Sequence, residues 1–277
     1  MNILLCIDIG NTTIGFGLYL EPAAAAKDSP RTKKIPTYPQ GSPLRYKNAV
    51  TRLLKEAVPG MAAARFTLKD FLKKHRMRAV ISSVVPSLNT IILESLAPFC
   101  GEEPVMVSSR LDKVLSFAVK RPEEVGADRI ADAVAGLHYA EGPVAVVDFG
   151  TATTITIAGK KQDFLGGAIL PGLQLMQKML HAGTAKLPLA PLRQPESALG
   201  KDTRSSIAAG IICGTAGAAE ALIKNMEKEL DCKLQLVLTG GNAHLVSPFM
   251  KKKHILVPHL TFEGMRLISL KVRSKNK

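Results

Sequence analysis

Hydrophobic and polar positions along the chain fall into two recurring patterns. Short apolar runs bounded by glycine, proline or polar residues predict buried strands, and they occur at 2–10, 13–20, 78–86, 104–108, 143–150, 151–159 and 234–242. Longer stretches with apolar residues three or four positions apart predict helices, and they occur at 50–75, 87–99, 128–140, 172–182 and 204–230. Strands that alternate with helices predict an α/β architecture.

Local signals refine the first part of this pattern. Pro59 and Gly60 interrupt the helix predicted at 50–75, and Ser87 is a candidate N-cap for the helix at 87–99. Residues 21–48 are rich in alanine, proline and lysine and contain almost no acidic residues. We interpret this segment as an exposed basic insertion with the character of a long loop.

One strand-and-turn pattern occurs twice. IDIGNTT at 7–13 and VDFGTATT at 147–154 each place an aspartate at the end of an apolar run, followed by a glycine and short polar residues. Such a turn is common when it occurs once. Here Asp8 and Asp148 are separated by about half of the chain. The repeat therefore predicts a duplication, with two similar domains and a cleft between them.

The residue types in these turns suit a metal and a phosphate. A glycine lets backbone N–H groups converge, and converging N–H groups bind anionic oxygens. The carboxylate of Asp8 repels phosphate but can hold Mg²⁺ or its waters, and the metal then bridges to the phosphates. The paired turns predict a clamp for a polyphosphate. Gly240 and Gly241, after the strand at 234–242, allow a base or ribose to approach the backbone closely.

Charge and composition narrow the function classes. The chain has 277 residues and a formal net charge of +14, concentrated in clusters such as 73–78, 251–253 and 271–277. Aromatic residues make up 5% of the chain and do not alternate with these clusters, which disfavours a stacking surface for single-stranded nucleic acid. We interpret the basic clusters as solvated surface, with a nucleic-acid groove as the alternative.

The apolar runs of the sequence are not typical of a signal peptide or a membrane span, and we therefore expect a cytoplasmic protein. The N-terminal apolar run has no basic lead, and Asp8 interrupts it, which is not typical of a signal peptide. The apolar run at 207–223 contains several glycines and Glu220, so a close-packed core helix is favoured over a membrane span.

Several motifs together resemble one enzyme family. They are DIGNT (8–12), GADR (126–129), DFGTATT (148–154), GGAILPG (166–172), TAKLP (184–188), GKDT (200–203) and TGGNA (239–243), and they span nearly the whole chain. The chain resembles the type III pantothenate kinases of the acetate and sugar kinase, Hsp70 and actin superfamily. The resemblance implies duplicated ribonuclease-H-like domains, placed at 1–127 and 128–277, with mixed sheets flanked by helices. It also implies ATP with Mg²⁺, pantothenate as acceptor, a monovalent cation (K⁺ or NH₄⁺) and a homodimer.

The resemblance also implies residue roles. Asp128 is expected to accept the proton of the pantothenate hydroxyl, although an aspartate at a helix start is more often a cap. Asp148 is expected to bind the monovalent cation, and Asp8 to hold Mg²⁺ through water. ATP contacts are expected at Asp8, Ile9, Gly10, Asn11, Thr12, Thr13, Ile14, Gly15 and Thr151. Pantothenate contacts are expected at Gly126, Ala127, Asp128, Arg129 and Thr203. Arg129 could equally pair with a nearby carboxylate, and Thr203 could equally be an N-cap.

The chain departs from the family pattern in places. A tyrosine expected nine positions before Asp128 is Val119, and an asparagine expected before Thr203 is Asp202, whose charge is unfavourable beside an anionic acceptor unless it points away. The segment 166–172 lacks the lysine of a P-loop, and we interpret it as a tight turn.

Three functions are compatible with these patterns. The first is ATP-dependent phosphorylation of pantothenate, the first step of coenzyme A synthesis. The second is a non-catalytic family member acting as a transcription accessory or nucleic-acid-binding protein. The third is another kinase of the superfamily acting on a sugar or a carboxylic acid. The presence of Asp8, Asp128 and Asp148 favours the first, because a binding module needs no proton acceptor.

Overall fold

A computed structural model describes residues 2–21, 29–58, 76–111 and 114–273. Within these residues the chain divides into two compact units. Unit 1 comprises Met1–Val114, Glu123–Ala131 and Thr261–Lys277, and unit 2 comprises Leu115–Pro122 and Asp132–Leu260. The C-terminal segment thus returns to unit 1, whereas the predicted domains divide the chain once, at 127/128. The predicted division into two ribonuclease-H-like domains at 127/128 stays a prediction.

Unit 1 is an α/β layer built on a mixed sheet. Its strands are β1 (Asn2–Ile9), β2 (Thr13–Glu21), β3 (Arg31–Pro36), β4 (Arg76–Ser83) and β5 (Val105–Met106). Its helices are α1 (Pro43–Ala57), a 3₁₀ turn (Pro86–Leu88) followed by α2 (Asn89–Leu96), the start of α3 (Ala127–Tyr139), and α7 (Leu260–Arg273). The strand order is β3-β2-β1-β4-β5, with β1 antiparallel to β2 and parallel to β4.

The two faces of this sheet are covered differently. Alternate residues of β1, such as Ile7 and Ile9, join the core formed with Leu53 of α1 and Ile92 of α2. On the other face, the glycines of β2 leave room for the ring of Phe262, which would lie 2.9 Å from a Cβ atom at Gly17. The face that carries Asp8 is therefore the face covered by α7.

Unit 2 is built on a second mixed sheet. Its strands are β6 (Ser116–Phe117), β7 (Val144–Phe149), β8 (Ala152–Gly159), β9 (Asp163–Pro171), β10 (Gln235–Thr239) and β11 (Ile255–Leu256). Its helices are the remainder of α3, α4 (Leu173–Ala182), α5 (Thr203–Glu229) and α6 (Ala243–Val246), followed by a 3₁₀ turn (Ser247–Phe249). The strand order is β11-β10-β7-β8-β9-β6.

The long helix α5 belongs to the core of unit 2. Ile207, Ile211, Ile212 and Ile223 are buried in its hydrophobic cluster. Among the described residues α5 alone has the length and composition of a membrane-spanning helix, and half of that window is buried inside the protein. A core helix of a water-soluble protein has these same properties, as the glycine-interrupted pattern predicts.

The duplication predicted from the repeated turn is confirmed by topology. The strand order β3-β2-β1-β4-β5 of unit 1 corresponds to β9-β8-β7-β10-β11 of unit 2, whose sheet has β6 as an additional strand beside β9. In both sheets the aspartate-bearing strand is antiparallel to the following strand and parallel to the next one on its other side. The α/β fold with mixed sheets flanked by helices is as predicted.

Several local predictions are wrong. Residues 21–48 are not a continuous loop, because Glu21 ends β2, Arg31–Pro36 forms β3 and α1 begins at Pro43; residues 22–28 lie outside the described residues. The predicted helix 50–75 begins earlier, and its part at 59–75 also lies outside them.

Other corrections concern caps and turns. Ser87 lies within the 3₁₀ turn, and α2 begins at Asn89 without a side-chain cap. The segment 166–172 is mostly strand β9 and not a tight turn; Gly166 and Gly167 have positive φ angles of 121° and 146°. A β-bulge at Ile157/Ala158 lies opposite this region, which explains why glycines occur inside a strand.

Candidate active site

The first part of the site is a polar position on an otherwise apolar strand. Asp8 lies near the end of β1, opposite Gly15 of β2 and Ser82 of β4. The hydroxyl of the fully buried Ser82 donates a hydrogen bond of 3.0 Å to Oδ1 of Asp8. The register of three strands therefore holds the Asp8 carboxylate in one orientation.

The turn between β1 and β2 directs its carbonyl groups toward the protein. The N–H of Gly10 donates to the carbonyl of Thr13, and the N–H of Thr37 donates to the carbonyl of Thr12, both at 3.0 Å. The Thr37 hydroxyl donates to the carbonyl of Gly10 at 2.6 Å. Three carbonyl oxygens that would repel a phosphate are thus already hydrogen-bonded, while the side chain of Asn11 is exposed. This arrangement suits an anion.

Not every residue in the predicted nucleotide segment can use its side chain for binding. Ile9 and Ile14 face each other across the hairpin, and both are fully buried in the core of unit 1. Their side chains set the hairpin geometry, so any contact with a ligand comes from their backbone. Thr12 and Thr13 are exposed, as binding residues require.

The GADR segment places a second carboxylate near the first. Asp128 lies in the first turn of α3, where its Oδ1 accepts a 2.8 Å hydrogen bond from the N–H of Arg129. A Cβ atom at Gly126 would lie 2.5 Å from that oxygen and 3.6 Å from Val84, which follows β4. Gly126 therefore lets the Asp128 side chain approach the carboxyl ends of the central strands of unit 1.

Both carboxyl groups have raised pKa values. Burial, followed by the negative charge of Asp128, raises the pKa of Asp8 from 3.8 to about 7, against the lowering effects of the Ser82 hydrogen bond and the Lys34 charge. Burial also raises the pKa of Asp128, while the N–H and the charge of Arg129 lower it. The structure thus brings Asp8 and Asp128 close enough for their charges to interact.

This pair suits a hard divalent cation. Within the described residues, no group of three or more His, Cys, Asp or Glu side chains could hold a metal ion by itself. Mg²⁺ commonly uses one or two carboxylates and completes its shell with waters and phosphate oxygens. A cation would also relieve the repulsion between the carboxylates of Asp8 and Asp128. The residues therefore fit Mg²⁺ bound together with a polyphosphate.

Unit 2 contains the duplicate of the first turn. Asp148 lies near the end of β7, opposite Thr154 of β8 and Thr239 of β10. Thr239 is buried and occupies the position that Ser82 has in unit 1, so each aspartate has a hydroxyl residue on the neighbouring parallel strand. The structure confirms the equivalence of Asp8 and Asp148 that the sequence repeat predicted.

The segment after β10 packs closely on the Asp148 turn. Gly240 has φ +94°, and a Cβ atom there would lie 2.1 Å from Oδ1 of Asp148, so only glycine fits. The side chain of Asn242 donates to the carbonyl of Phe149 at 3.1 Å and exchanges hydrogen bonds with Gln174. By contrast, no atom of the described residues lies within 4 Å of a Cβ atom at Gly241. A glycine is therefore required at position 240 for packing, whereas Gly241 leaves the open space that the sequence analysis predicted for a ligand.

Thr151 occupies an exposed position in the second turn. A Cβ atom at Gly172 would lie 2.2 Å from the carbonyl oxygen of Thr151 and 2.6 Å from that of Gly150. The last glycine of the segment 166–172 therefore supports this turn, although the segment as a whole is a strand. Thr151 remains exposed to solvent.

Thr203 begins helix α5 but does not cap it. Asp202 is the N-cap: its Oδ1 accepts hydrogen bonds from the N–H groups of Arg204 at 2.8 Å and Ser205 at 3.0 Å. These bonds lower the pKa of Asp202. The departure from the family asparagine is thus a working cap whose charge is used by the helix, and Thr203 stays exposed for another role.

Sequence reasoning missed residues that support the site. Ser82, Thr37 and Asn242 are all buried polar residues that hydrogen-bond the site backbone or Asp8. The motif TGGNA contained Asn242, but its role is visible only across strands. Ser82 was detectable in principle as a polar residue that interrupts the apolar run 78–86.

Comparisons of the sequence with known proteins point to one enzyme family. The family model described as type III pantothenate kinase matches residues 4–225. A type III pantothenate kinase of Desulfatibacillum aliphaticivorans is 33% identical over 266 residues, covering 96% of this chain and 97% of that protein. One from Moorella thermoacetica is 38% identical over 189 residues, covering 68% of this chain and 74% of that protein.

Solved structures show the same fold at lower identity. A conserved Baf family protein of Campylobacter jejuni, named as a transcriptional activator, has a TM-score of 0.56 at 20% identity and covers 98% of this chain and 99% of its own. The ethanolamine utilization protein EutJ of Carboxydothermus hydrogenoformans has a TM-score of 0.51 at 16% identity, covering 96% of this chain and 89% of its own. At these identities the likeness concerns the fold alone.

Proposed function

The chain belongs to the type III pantothenate kinase family, and we propose that it transfers the γ-phosphate of ATP to the primary hydroxyl of pantothenate. The product is 4′-phosphopantothenate, and the reaction is the first step of coenzyme A synthesis. The observation that carries the proposal is the neighbouring pair Asp8 and Asp128 beside an exposed polar turn. A nucleic-acid-binding role without catalysis is not favoured, because that role needs no such pair.

Phosphate binding is assigned to the first turn. Gly10, Asn11, Thr12 and Thr13 hold the phosphates, and Asp8, fixed by Ser82, holds Mg²⁺. When bound, Mg²⁺ neutralises phosphate charge and orients the γ-phosphate. Tying the turn carbonyls to Thr37 and Gly10 preorganises the turn before the nucleotide arrives.

Asp128 acts as the proton acceptor. The hydroxyl oxygen of pantothenate forms a bond to the γ-phosphorus, its proton passes to the Asp128 carboxylate, and the bond to the β,γ-bridging oxygen breaks to release ADP. The raised pKa of Asp128 makes it a stronger base than a solvent-exposed aspartate. Its hydrogen bond from the N–H of Arg129 holds one carboxylate oxygen and leaves the other for the substrate.

The acceptor contacts are assigned to the start of α3. Gly126 and Ala127 form the wall beside Asp128, and Arg129, which is partly exposed, attracts the pantothenate carboxylate. Val119 replaces an aromatic family contact with a smaller apolar one. Thr203, exposed at the start of α5, supplies a hydroxyl to the acceptor.

A monovalent cation is assigned to the second turn. Asp148, held against Gly240, binds K⁺ or NH₄⁺, and the exposed Thr151 contacts ATP. The cation bound to Asp148 would offset the negative charge that develops on the transferred phosphoryl group.

A second copy of the chain is the proposed partner. In unit 2 an apolar groove of about 900 Å³ runs between α4 and α5 and is lined by Met179, Leu180, Leu187, Ile207 and Ile211. Met179 is 67% exposed, which is unusual for a large apolar side chain. Beside the groove, Gly210, Gly214 and Gly217 form an exposed strip of α5 that lets another helix approach closely. Thr203 and Ser206 line the same groove, so dimerisation would bring Thr203 to an interface. We place this dimer in the cytoplasm.

The test is a coupled ADP-release assay with and without pantothenate, on the wild type and on Asp128→Asn. We expect pantothenate-dependent turnover that falls by about 10²–10⁴-fold in the variant, with unchanged melting. Asp231→Asn is the matched control, because Asp231 is exposed and its left-handed backbone (φ 47°) suits asparagine equally well. Turnover that ignores pantothenate would rule out the acceptor, and an active Asp128→Asn would rule out the base.

A further inference from the structure

A lysine on the edge strand of unit 1 shares the row of the sheet that contains Asp8. Lys34 of β3 is paired with Gly15 of β2, Gly15 is paired with Asp8 of β1, and Asp8 is paired with Ser82 of β4. Residues directly opposite one another in a sheet point to the same face. Lys34 therefore projects from the face of Asp8, two strands away.

The residue between them leaves a path for the lysine. Gly15 has no side chain, and the tip of the Phe262 ring fills the space above it, 2.9 Å from where a Cβ atom would be. The aliphatic stem of Lys34 can extend past this ring toward Asp8. The ammonium group comes near enough that its charge lowers the pKa of Asp8.

Within the part of unit 1 that the structure describes, the ammonium of Lys34 forms no ion pair. Lys34 is exposed, and no carboxylate of the described residues lies within 4.0 Å of its ammonium. Its neighbour Lys33 is different: it is paired with Phe16, projects from the opposite face and lies 3.8 Å from Glu56 of α1. Two adjacent lysines thus have separate surroundings, and among the described residues only Lys33 of the two has an ion-pair partner.

The duplicated sheet lacks this lysine. In unit 2 the corresponding row is Ile169 of β9, Thr154 of β8, Asp148 of β7 and Thr239 of β10. The hydroxyl beside the aspartate is kept, but the position that corresponds to Lys34 is Ile169, which is 66% exposed. The fold itself therefore does not require a lysine at this position, and its presence in unit 1 calls for another reason.

We propose that Lys34 is a further phosphate-binding residue, which places its ammonium on the phosphate oxygens of the nucleotide held by the turn 10–13. The inference rests on the proposed function. ATP is strongly anionic, and Asp8 and Asp128 add two carboxylates to the same region, so a further positive charge beside the turn 10–13 favours nucleotide binding. An ammonium on a flexible stem is a common point-charge partner of phosphate.

Nucleotide binding tests this role separately from turnover. Titration of ADP and of adenosine is compared for the wild type, Lys34→Met and Lys33→Met. A hydrogen bond to a charged group is typically worth ~1.5–3 kcal/mol, or about 10- to 150-fold in Kd. We expect Lys34→Met to weaken ADP by at least about tenfold without changing adenosine binding. Lys33→Met should stay close to the wild type, because it loses only a surface ion pair.

Two results would overturn the inference. One is an ADP affinity for Lys34→Met that matches that of Lys33→Met. The other is an equal weakening of ADP and adenosine, which would indicate a structural effect. Lys34→Arg, which keeps the charge, should recover most of the ADP affinity. If the wild type binds ADP but shows no pantothenate-dependent turnover, the proposed function fails while the role of Lys34 is still decided by the binding data.

Discussion

The hydroxyl of Ser82 donates a 3.0 Å hydrogen bond to Oδ1 of Asp8 across two parallel strands. This bond lowers the pKa of a carboxyl group that burial and a neighbouring carboxylate raise. Ser82 thereby favours the ionised form of Asp8 and fixes the orientation of its carboxylate.

Ser82→Ala should weaken metal use more than folding. Without the hydrogen bond, the pKa of Asp8 rises further, and a smaller fraction of Asp8 is ionised at neutral pH. We expect the Mg²⁺ concentration for half-maximal turnover to rise about tenfold, as is common when a residue that orients a metal ligand is lost. Ser116→Ala, at an exposed position of β6, is the control and should leave the Mg²⁺ requirement unchanged. An unaltered Mg²⁺ curve for Ser82→Ala would contradict the prediction.

Asp8 should destabilise the metal-free protein at neutral and alkaline pH. Its pKa is about 7 in the folded chain and 3.8 as the ordinary value. The folded state therefore holds a proton that the unfolded state releases, and stability falls as the pH rises through this window. One pKa unit corresponds to ~1.4 kcal/mol, so Asp8→Asn should be stabilising in EDTA, by about 2 kcal/mol more at pH 8 than at pH 5.

Chemical denaturation at the two pH values measures this effect. Asp202→Asn is the control, because asparagine is an equally good N-cap and the pKa of Asp202 is lowered, not raised. A metal-free Asp8→Asn protein that is less stable than the wild type at pH 8 would show that burial of the Asp8 charge carries no cost.

The two neighbouring glycines after β10 should differ in how much an alanine substitution destabilises the protein. A methyl group at Gly240 would collide with Asp148 and with the backbone of Phe149, and φ +94° is strained for alanine. The methyl group of Gly241→Ala has no neighbour within 4 Å in the part of the chain that the structure describes. We expect Gly240→Ala to lower the free energy of unfolding by ~3 kcal/mol or more and Gly241→Ala to melt within a few degrees of the wild type. Equal melting temperatures would contradict the packing of Gly240 on Asp148.

A charge on the glycine strip of α5 should separate the proposed dimer. Among the described residues nothing lies within 4 Å of a Cβ atom at Gly214, so Gly214→Glu fits a single chain and replaces a poor helix former. We expect sedimentation to shift from dimer to monomer, with monomer helicity retained. Lys160→Glu, in the exposed turn between β8 and β9, is the control. A dimer that persists in Gly214→Glu would place the interface elsewhere.

Sequence reasoning performed well where a signal is local. The aspartate-bearing strands, the helices at 128–140 and 204–230 and the duplication all follow from periodicity and a repeated motif, and the structure agrees with them. It performed poorly at β3 and β9, which hold several polar or glycine residues and have no continuous apolar run. β3 and β9 become strands by pairing their backbones with β2 and β8, and this pairing leaves no periodic apolar signal in their own residues.

The amino-acid sequence by itself determined the paired aspartate turns, because they depend on residue types at short, fixed spacing. Its motifs also carry the resemblance to the family, and that resemblance proposes Asp128 as the base. Tertiary structure alone decided that Ser82 of β4 hydrogen-bonds to Asp8 and that Lys34 of the edge strand lies in the same row of the sheet, as set by strand register. It also assigned the helix cap to Asp202 and the constraint on Gly240 to Asp148. The physical reason is that register, burial and charge proximity arise between segments far apart in the chain, and no local pattern encodes which of them will pack together.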